Sequence, residues 1–267
     1  MIVTRYYEAL NLERNPFSLT PDLNFYFLMS SHVEAIDTVF FAFDNGAPMV
    51  RLYGEPGMGK TMLLKYLAGK FREKYGIDVN YMTYNPLMDV KSFAQDVLDT
   101  QNISDIEGAV KSLFEKRGGR IVIFVDEAQD MSYEHFLLLK YIIDFSASPS
   151  RAFVLLSGTP VLKEKFSRDE MLPLAQRAPY HCKLYGLKKE EVKGYIEHRM
   201  KKSGFSGDVP FKGRAIKHIW KLTGGNPRKV NILAERSILA AMVKGKRTVG
   251  KKEVKEAYKD ISDEILK

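Results

Sequence analysis

Short apolar runs and stretches of helical periodicity alternate through the first two-thirds of the chain, and then the runs stop. Val33, Ile36, Val39, Phe40 and Phe43 recur at helical spacing behind Ser31-x-x-Glu34, which reads as a capping box, and Gly46 ends the pattern. A helix is therefore expected before the first strand. The run Pro48 to Tyr53 passes straight into a glycine-rich stretch, after which Met62, Leu63, Leu64, Tyr66, Leu67 and Phe71 continue helically to Gly76. Ile77 to Tyr84 reads as a second strand. Helices follow from Asp89 to about Thr100 and from Ser104 to Arg117, the latter closed by Gly118 and Gly119. Ile121 to Val125 and Ala152 to Ser157 are unbroken apolar runs on either side of a helix from Ser132 to about Phe145. Such runs suit central strands covered on both faces, so the alternation predicts a doubly wound parallel sheet.

From Leu187 onward only helical patterns remain: Lys188 to Ser203, Phe211 to Leu222, Pro227 to Val243 and Lys251 to Ile261. The expected organisation is an α/β domain over residues 1–186 and a small helical domain over residues 187–267, without internal repeats or low-complexity linkers.

Composition narrows the class. Across 267 residues the apolar fraction is 45%, the mean hydropathy is −0.24, and no window approaches the ~18 consecutive apolar residues of a membrane span. Met1 to Thr20 carries Arg5, Glu8, Glu13, Arg14 and Pro16 where a signal peptide needs an apolar core, so a cytoplasmic protein is expected. The single cysteine, Cys182, excludes an internal disulfide and reads as a small core residue. Net charge is +8 but unevenly placed: residues 188–267 hold 21 Lys and Arg against 10 Asp and Glu, whereas the preceding residues hold 20 against 23. A basic C-terminal part suits polyphosphate, nucleic acid or acidic partners, or else a solvated lysine-rich surface.

The candidate chemistry sits in the glycine-rich stretch. Gly54-x-x-x-x-Gly59-Lys60-Thr61 has the spacing of a P-loop, whose backbone N–H groups turn inward around phosphates at a helix N-terminus. Its position between a predicted strand and a predicted helix is the context that distinguishes it from an ordinary turn. Gly54, Glu55, Pro56, Gly57, Met58, Gly59, Lys60, Thr61 and the following Met62 form the expected nucleotide cradle, with Lys60 on the β/γ-phosphates and the Thr61 hydroxyl on Mg²⁺. A second acid is needed to hold the metal. Asp126 ends the run Ile121 to Val125 and supplies it, through Thr61 or a water. Glu127, the next residue, could orient and deprotonate the attacking water, while Asp130 is expected to cap the following helix.

At the tip of the next strand, Ser157 and Thr159 both offer a hydroxyl to sense phosphate or position water, and Thr159 could instead cap the helix after Pro160. Arg177 could reach a neighbouring subunit's γ-phosphate or be a surface ion-pair residue. Arg228, behind "TGGNP", could meet the nucleotide within its own chain.

With these residues in place, the chain resembles the AAA+ ATPases, and within them the ATPase domain of the general secretion pathway protein A (ExeA/GspA) branch. Asn15 to Ile36 is similar to that group's segment ahead of the P-loop, and "VDEAQDMS", "LAQR" and Gly224 to Ala241 are similar to its later motifs. The same core occurs in transposition regulators of the MuB, TniB and TnsC kind. The resemblance implies a three-layer αβα P-loop domain with a helical lid, ATP and Mg²⁺ as ligands, and rings or filaments whose sites are completed by a neighbour. It carries Asp126 and Glu127 over as Walker B, Ser157 or Thr159 as sensor 1, Arg228 as sensor 2 and Arg177 as finger. Asn15, Pro16, Phe17 and His32 would line the adenine side, with core packing an equal reading for Phe17 and His32.

Full-length secretion ATPases of this branch continue into a membrane span, and this chain stops at the lid, which favours a standalone ATPase. Two functions are expected above a floor of ATP hydrolysis. One is an ATP-driven assembly on duplex DNA that directs a recombinase or transposase, using Lys111, Lys116, Arg117, Arg120, Lys244, Lys246, Arg247, Lys251, Lys252 and Lys255 against phosphates. The other is an envelope machine acting through protein partners without DNA.

Overall fold

The computed structural model describes residues 6–101, 105–116, 120–145 and 151–261. Arg5, Ser104, Arg117, Gly118 and Gly119, named above, lie outside them. The chain forms two compact units, one comprising residues 32–56 and 60–184 and the other residues up to 31, 57–59 and 185 onward.

In the first unit the elements run α1 (Ser30–Asp44), β1 (Met49–Tyr53), α2 (Lys60–Tyr75), β2 (Asn80–Thr83), α3 (Val90–Leu98), α4 (Ile106–Lys116), β3 (Ile121–Asp126), α5 (Tyr133–Phe145), β4 (Ala152–Gly158), α6 (Pro160–Lys165), α7 (Leu172–Arg177) and β5 (Tyr180–Lys183). The five strands form one parallel sheet in the order β2-β3-β4-β1-β5. Strands β3 and β4 are buried at every position, as their unbroken apolar runs require. Alternation still sorts their side chains by face. Ile121, Ile123, Val125, Val154 and Leu156 join Phe93, Val110, Leu113, Phe136, Leu139 and Ile142 in one core. Phe124 and Phe153 point the other way, where the Phe71 ring lies 5.6 and 6.0 Å from theirs and 4.9 Å from that of Phe43. Helices α1 and α2 therefore cover one face and α3 to α5 the other, which is the expected three-layer arrangement.

Three local expectations are corrected. The sheet contains a fifth strand, β5, pairing with β1 from Val50↔Tyr180 to Tyr53↔Lys183. Its four residues, Tyr-His-Cys-Lys, have no apolar run to announce them. Ser31 does not close a capping box: α1 begins one residue earlier, and the Ser31 hydroxyl donates to the Tyr185 carbonyl at 2.9 Å. The start of α1 is held instead by Glu191, whose Oε1 accepts from the Ser30 N–H at 2.7 Å and its hydroxyl at 2.8 Å. Asp130 accepts from the Gln129 amide at 2.8 Å, and the backbone of Ser132 opens α5.

The second unit contains α8 (Glu191–Lys202), α9 (Gly213–Thr223), α10 (Pro227–Val243) and α11 (Lys251–Ile261) around Ile196, Ile219, Val230, Leu233, Ile238 and Val254. The segment before α1 belongs to this core. Phe17 is 1% exposed and meets Phe211 edge-on at 6.4 Å, while the Arg199 guanidinium donates to the carbonyls of Pro16 and Ser18 at 2.5 and 2.8 Å. Asn15 accepts from the Tyr6 hydroxyl and donates to Glu235. These residues brace the unit's interior. A Cβ on Gly225 (φ +75°) would lie 2.1 Å from the Leu187 carbonyl oxygen, so only glycine allows the Leu187 N–H to reach the Gly225 oxygen at 2.8 Å.

Phe71 is the side chain on which the α1–α2 layer converges. Replacing it with alanine should lower unfolding free energy by about 3–5 kcal/mol, the usual cost of deleting a buried aromatic ring; chemical denaturation monitored by circular dichroism would read this directly.

Candidate functional site

The glycine-rich loop departs from the C-terminal end of β1, with the Gly54 N–H bonded to the Gly158 carbonyl at 3.1 Å. Gly57 and Gly59 both have φ of +85°, the conformation that turns successive N–H groups to one side and that L side chains resist. Lys60 opens α2 and is 6% exposed. Its ammonium donates to the carbonyls of Gly54 at 2.9 Å and Glu55 at 3.4 Å, spanning the base of the loop. Burial pushes its pKa below the ordinary lysine value, and Glu127, then Asp126 and Glu55, oppose that shift. A buried cation short of solvation is suited to polyphosphate. Glu55 and Pro56 are exposed, and Met58 and Met62 are half-buried beside it.

Asp126 ends β3 and is 1% exposed. Its Oδ2 accepts from the Thr61 hydroxyl at 2.5 Å, and its Oδ1 accepts from the Ser157 hydroxyl at 2.9 Å and the Glu127 N–H at 3.1 Å. The strand order makes this possible. β4 lies between β1 and β3, so Asp126 stands two strands away from β1, and Ser157 on the intervening strand bridges the gap. These donors are neutral, so they hold the buried carboxylate without cancelling its charge. Thr61 and Asp126 could thus hold a divalent cation.

Glu127 follows in the left-handed region at φ 56°, half-buried. A non-glycine residue there carries about 1–2 kcal/mol of strain, and the excursion turns its side chain out of the strand direction at the strand's end. Its Oε2 accepts from the Gln129 amide at 3.0 Å, and the same amide's oxygen accepts from the Thr159 N–H at 3.1 Å. Gln129 stands within "VDEAQD", two residues beyond Glu127, and a glutamine in a turn carries no periodicity to mark it in the sequence.

The two candidate hydroxyls differ. Ser157 is fully buried and engaged with Asp126, whereas Thr159 is half-buried at the N-cap of α6 and makes no side-chain cap bond. Arg177 lies at the end of α7, its Nε bonded to Asp144 at 2.5 Å and its Nη1 to the Pro173 carbonyl at 2.9 Å. Within the chain it is an ion-pair residue. Arg228 is exposed in the first turn of α10, behind the Asn226 side chain that caps Lys229 N–H at 3.2 Å. Its own N–H faces the Gly57 carbonyl at 3.4 Å, and a Cβ on Gly57 would come within 2.7 Å of the Arg228 Cβ and the Asn226 Oδ1. His32 is 2% exposed, in keeping with core packing, and Cys182 is buried with its thiol pushed up to about 11 by desolvation, hence unreactive.

The basic surface is partly self-neutralised. Lys244 pairs with Glu256, Lys246 with Glu253 at 2.6 Å, and Lys116 with Asp99 at 3.0 Å. Lys251, Lys252 and Lys255 at the start of α11, with Arg247, are exposed. His218 is held below its ordinary pKa first by burial and then by Lys251, Lys255 and Lys221, which marks a like-charged face shared by α9 and α11.

Residues 44–166 match the family model described as an AAA domain. General secretion pathway protein A of Aeromonas hydrophila is 24% identical over 96% of this chain, which covers 48% of that protein. The chain thus spans about half the length of this relative. Among solved structures, Cdc6p from Pyrobaculum aerophilum has a TM-score of 0.68 at 14% identity, covering 92% of this chain and 70% of that one. Drosophila ORC bound to DNA has a TM-score of 0.64 at 13% identity, covering 97% and 67%. No helix among the described residues is long and apolar enough to cross a membrane.

Lys60→Ala should raise the dissociation constant for a fluorescent ATP analogue by about 10- to 100-fold, the weight of a lost charge-assisted contact of roughly 1.5–3 kcal/mol. Unchanged affinity in a folded variant would remove the loop from consideration as a phosphate site.

Proposed function

We propose that the chain, whose residues 44–166 match the AAA domain model, is a Mg²⁺-dependent AAA+ ATP hydrolase whose ATP-bound form assembles as a ring or filament on duplex DNA, in the manner of a transposition regulator. The observation that carries the hydrolytic part is the buried Asp126 carboxylate tied to Thr61 in the first turn after the loop. In this reading Gly54 to Thr61 and Met62 hold the phosphates with Lys60, and Thr61 and Asp126 hold the metal. The metal supplies charge neutralisation between phosphates when bound. Glu127 orients and deprotonates the attacking water. Thr159 fits the sensor role better than Ser157, because the Ser157 hydroxyl is committed to Asp126. Arg228, in the first turn of α10, is the candidate for the sensor 2 role. Arg177 serves as a finger for a neighbour only if it leaves Asp144, which an assembled interface would have to induce.

The DNA part rests on charge. Lys221, Lys251, Lys252 and Lys255 present exposed or clustered positive charge without a base-reading motif, which suits phosphate contacts that are indifferent to sequence. The Drosophila ORC structure, similar in fold, is described as bound to DNA. A recombinase or transposase would be the downstream partner.

A second reading is supported by one of the relatives. General secretion pathway protein A aligns over nearly the whole chain, and an envelope machine working through protein partners would need no DNA face.

One experiment separates them. Glu127→Gln should lower kcat by about 100-fold or more, the usual contribution of a general base, while leaving ATP affinity near wild type. This variant should then bind duplex DNA in ATP but not ADP by fluorescence anisotropy, with a log–log salt slope of about −0.9 per neutralised phosphate. Hydrolysis at the wild-type rate would remove Glu127 from its role. Absence of DNA binding in both nucleotides would leave the protein-partner reading.

A further inference from the structure

Gln129 is 9% exposed and has hydrogen-bond partners at both ends of its carboxamide. Its Nε2 donates to Glu127 Oε2 at 3.0 Å and to Asp130 Oδ2 at 2.8 Å, and its Oε1 accepts from the Thr159 N–H at 3.1 Å. It thereby joins the end of β3 to the tip of β4, the two places that carry the candidate base and the candidate phosphate sensor. We propose that Gln129 is a positioning residue for hydrolysis, holding the Glu127 carboxylate in its working direction and tying that direction to the tip of β4 at Thr159. This rests on the reading of Glu127 as the base.

Three features of the surroundings support the assignment. First, the carboxamide is the chemical group the place requires: it can donate twice toward two carboxylates and accept once from a backbone N–H. A carboxylate there would set like charge against Glu127 and Asp130, and an apolar side chain would release both ends. Second, the chain makes room for it. A Cβ on Gly158 would fall 2.7 Å from Gln129 Oε1 and 3.1 Å from its backbone N, so glycine at the end of β4 is what lets the amide cross to Thr159. Third, the held carboxylate acts electrostatically on the loop's lysine. With Glu127 bonded to Gln129, Glu127 is the largest of the charges opposing the desolvation of the Lys60 ammonium. The strained backbone at Glu127 sets where the side chain leaves the strand, and Gln129 sets where its carboxylate ends.

The test is steady-state ATP hydrolysis of the intact chain, with kcat and KM read separately and ATP affinity measured by analogue binding. Gln129→Met keeps the side-chain volume and removes both hydrogen-bonding ends; Gln129→Glu keeps an acceptor for Thr159 and adds the repulsion. Misaimed groups commonly cost up to about 100-fold in rate. The expected result is a fall in kcat of about 10- to 100-fold for Gln129→Met, and a larger one for Gln129→Glu, with KM and ATP affinity within about twofold of wild type. Gly158→Ala, which displaces the carboxamide without altering it, should show the same split and decides the matter if Gln129→Met does not fold. Wild-type kcat in the folded variants would overturn the proposal, as would a parallel loss of kcat and ATP affinity, the mark of a scaffold residue. Glu127→Gln is measured alongside. If it is slow while the Gln129 variants keep full kcat, the positioning proposal alone fails; if it hydrolyses at the wild-type rate, the reading of Glu127 fails and the proposal falls with it.

Discussion

Asp126 is the group around which the α/β unit is arranged. A carboxylate at 1% exposure is costly unless donors surround it, and here they come from three separate elements: Thr61 on α2, Ser157 on β4 and the backbone N–H of Glu127. Satisfying it therefore fixes the loop-to-helix junction after β1 relative to β3, with β4 between them. The donors are hydroxyls and an amide, not Lys or Arg, a set of neutral partners that suits a metal-bound polyphosphate better than stability alone.

The loop beside it is built on complementary terms. Lys60 is a desolvated cation resting on two carbonyls, which are weaker partners than phosphate oxygens. Gly57 and Gly59 accept a backbone conformation closed to most residues, and Gly57 also accepts the close approach of Asn226 and Arg228. Strain at Glu127 and the dense bonding of Gln129 occur at the same end of the sheet. Backbone cost and buried polar groups are thus concentrated at one edge of an otherwise apolar three-layer core, the distribution expected of a working site.

The helical unit follows a different logic. Its interior is closed by the segment before α1, through Phe17 and the two carbonyls held by Arg199, and its surface carries most of the positive charge. That charge is not uniform. Lys244 and Lys246 are engaged by Glu256 and Glu253, while Lys221, Lys251 and Lys255 crowd His218. Around His218, α9 and α11 bring like charges together, and repulsion of that kind is relieved by a polyanion or by salt.

What sequence alone determined is what depends on local order. Unbroken apolar runs marked β3 and β4 because a strand covered on both faces has no polar positions, and helical periods located α10 and α11 to the residue. The P-loop spacing and the acid pair were legible because each motif is contiguous. Tertiary structure decided the rest. It revealed β5, whose four residues carry no pattern and are a strand only because β1 offers an open edge. It engaged Ser31 with Tyr185 instead of its own helix, occupied Ser157 with Asp126, paired Arg177 with Asp144, and drew the Asn15 to Phe17 segment into the helical core. It also brought out Gln129. Each of these depends on which donor finds which acceptor across distant positions, and hydrogen bonds between side chains far apart in the chain leave no period in the sequence.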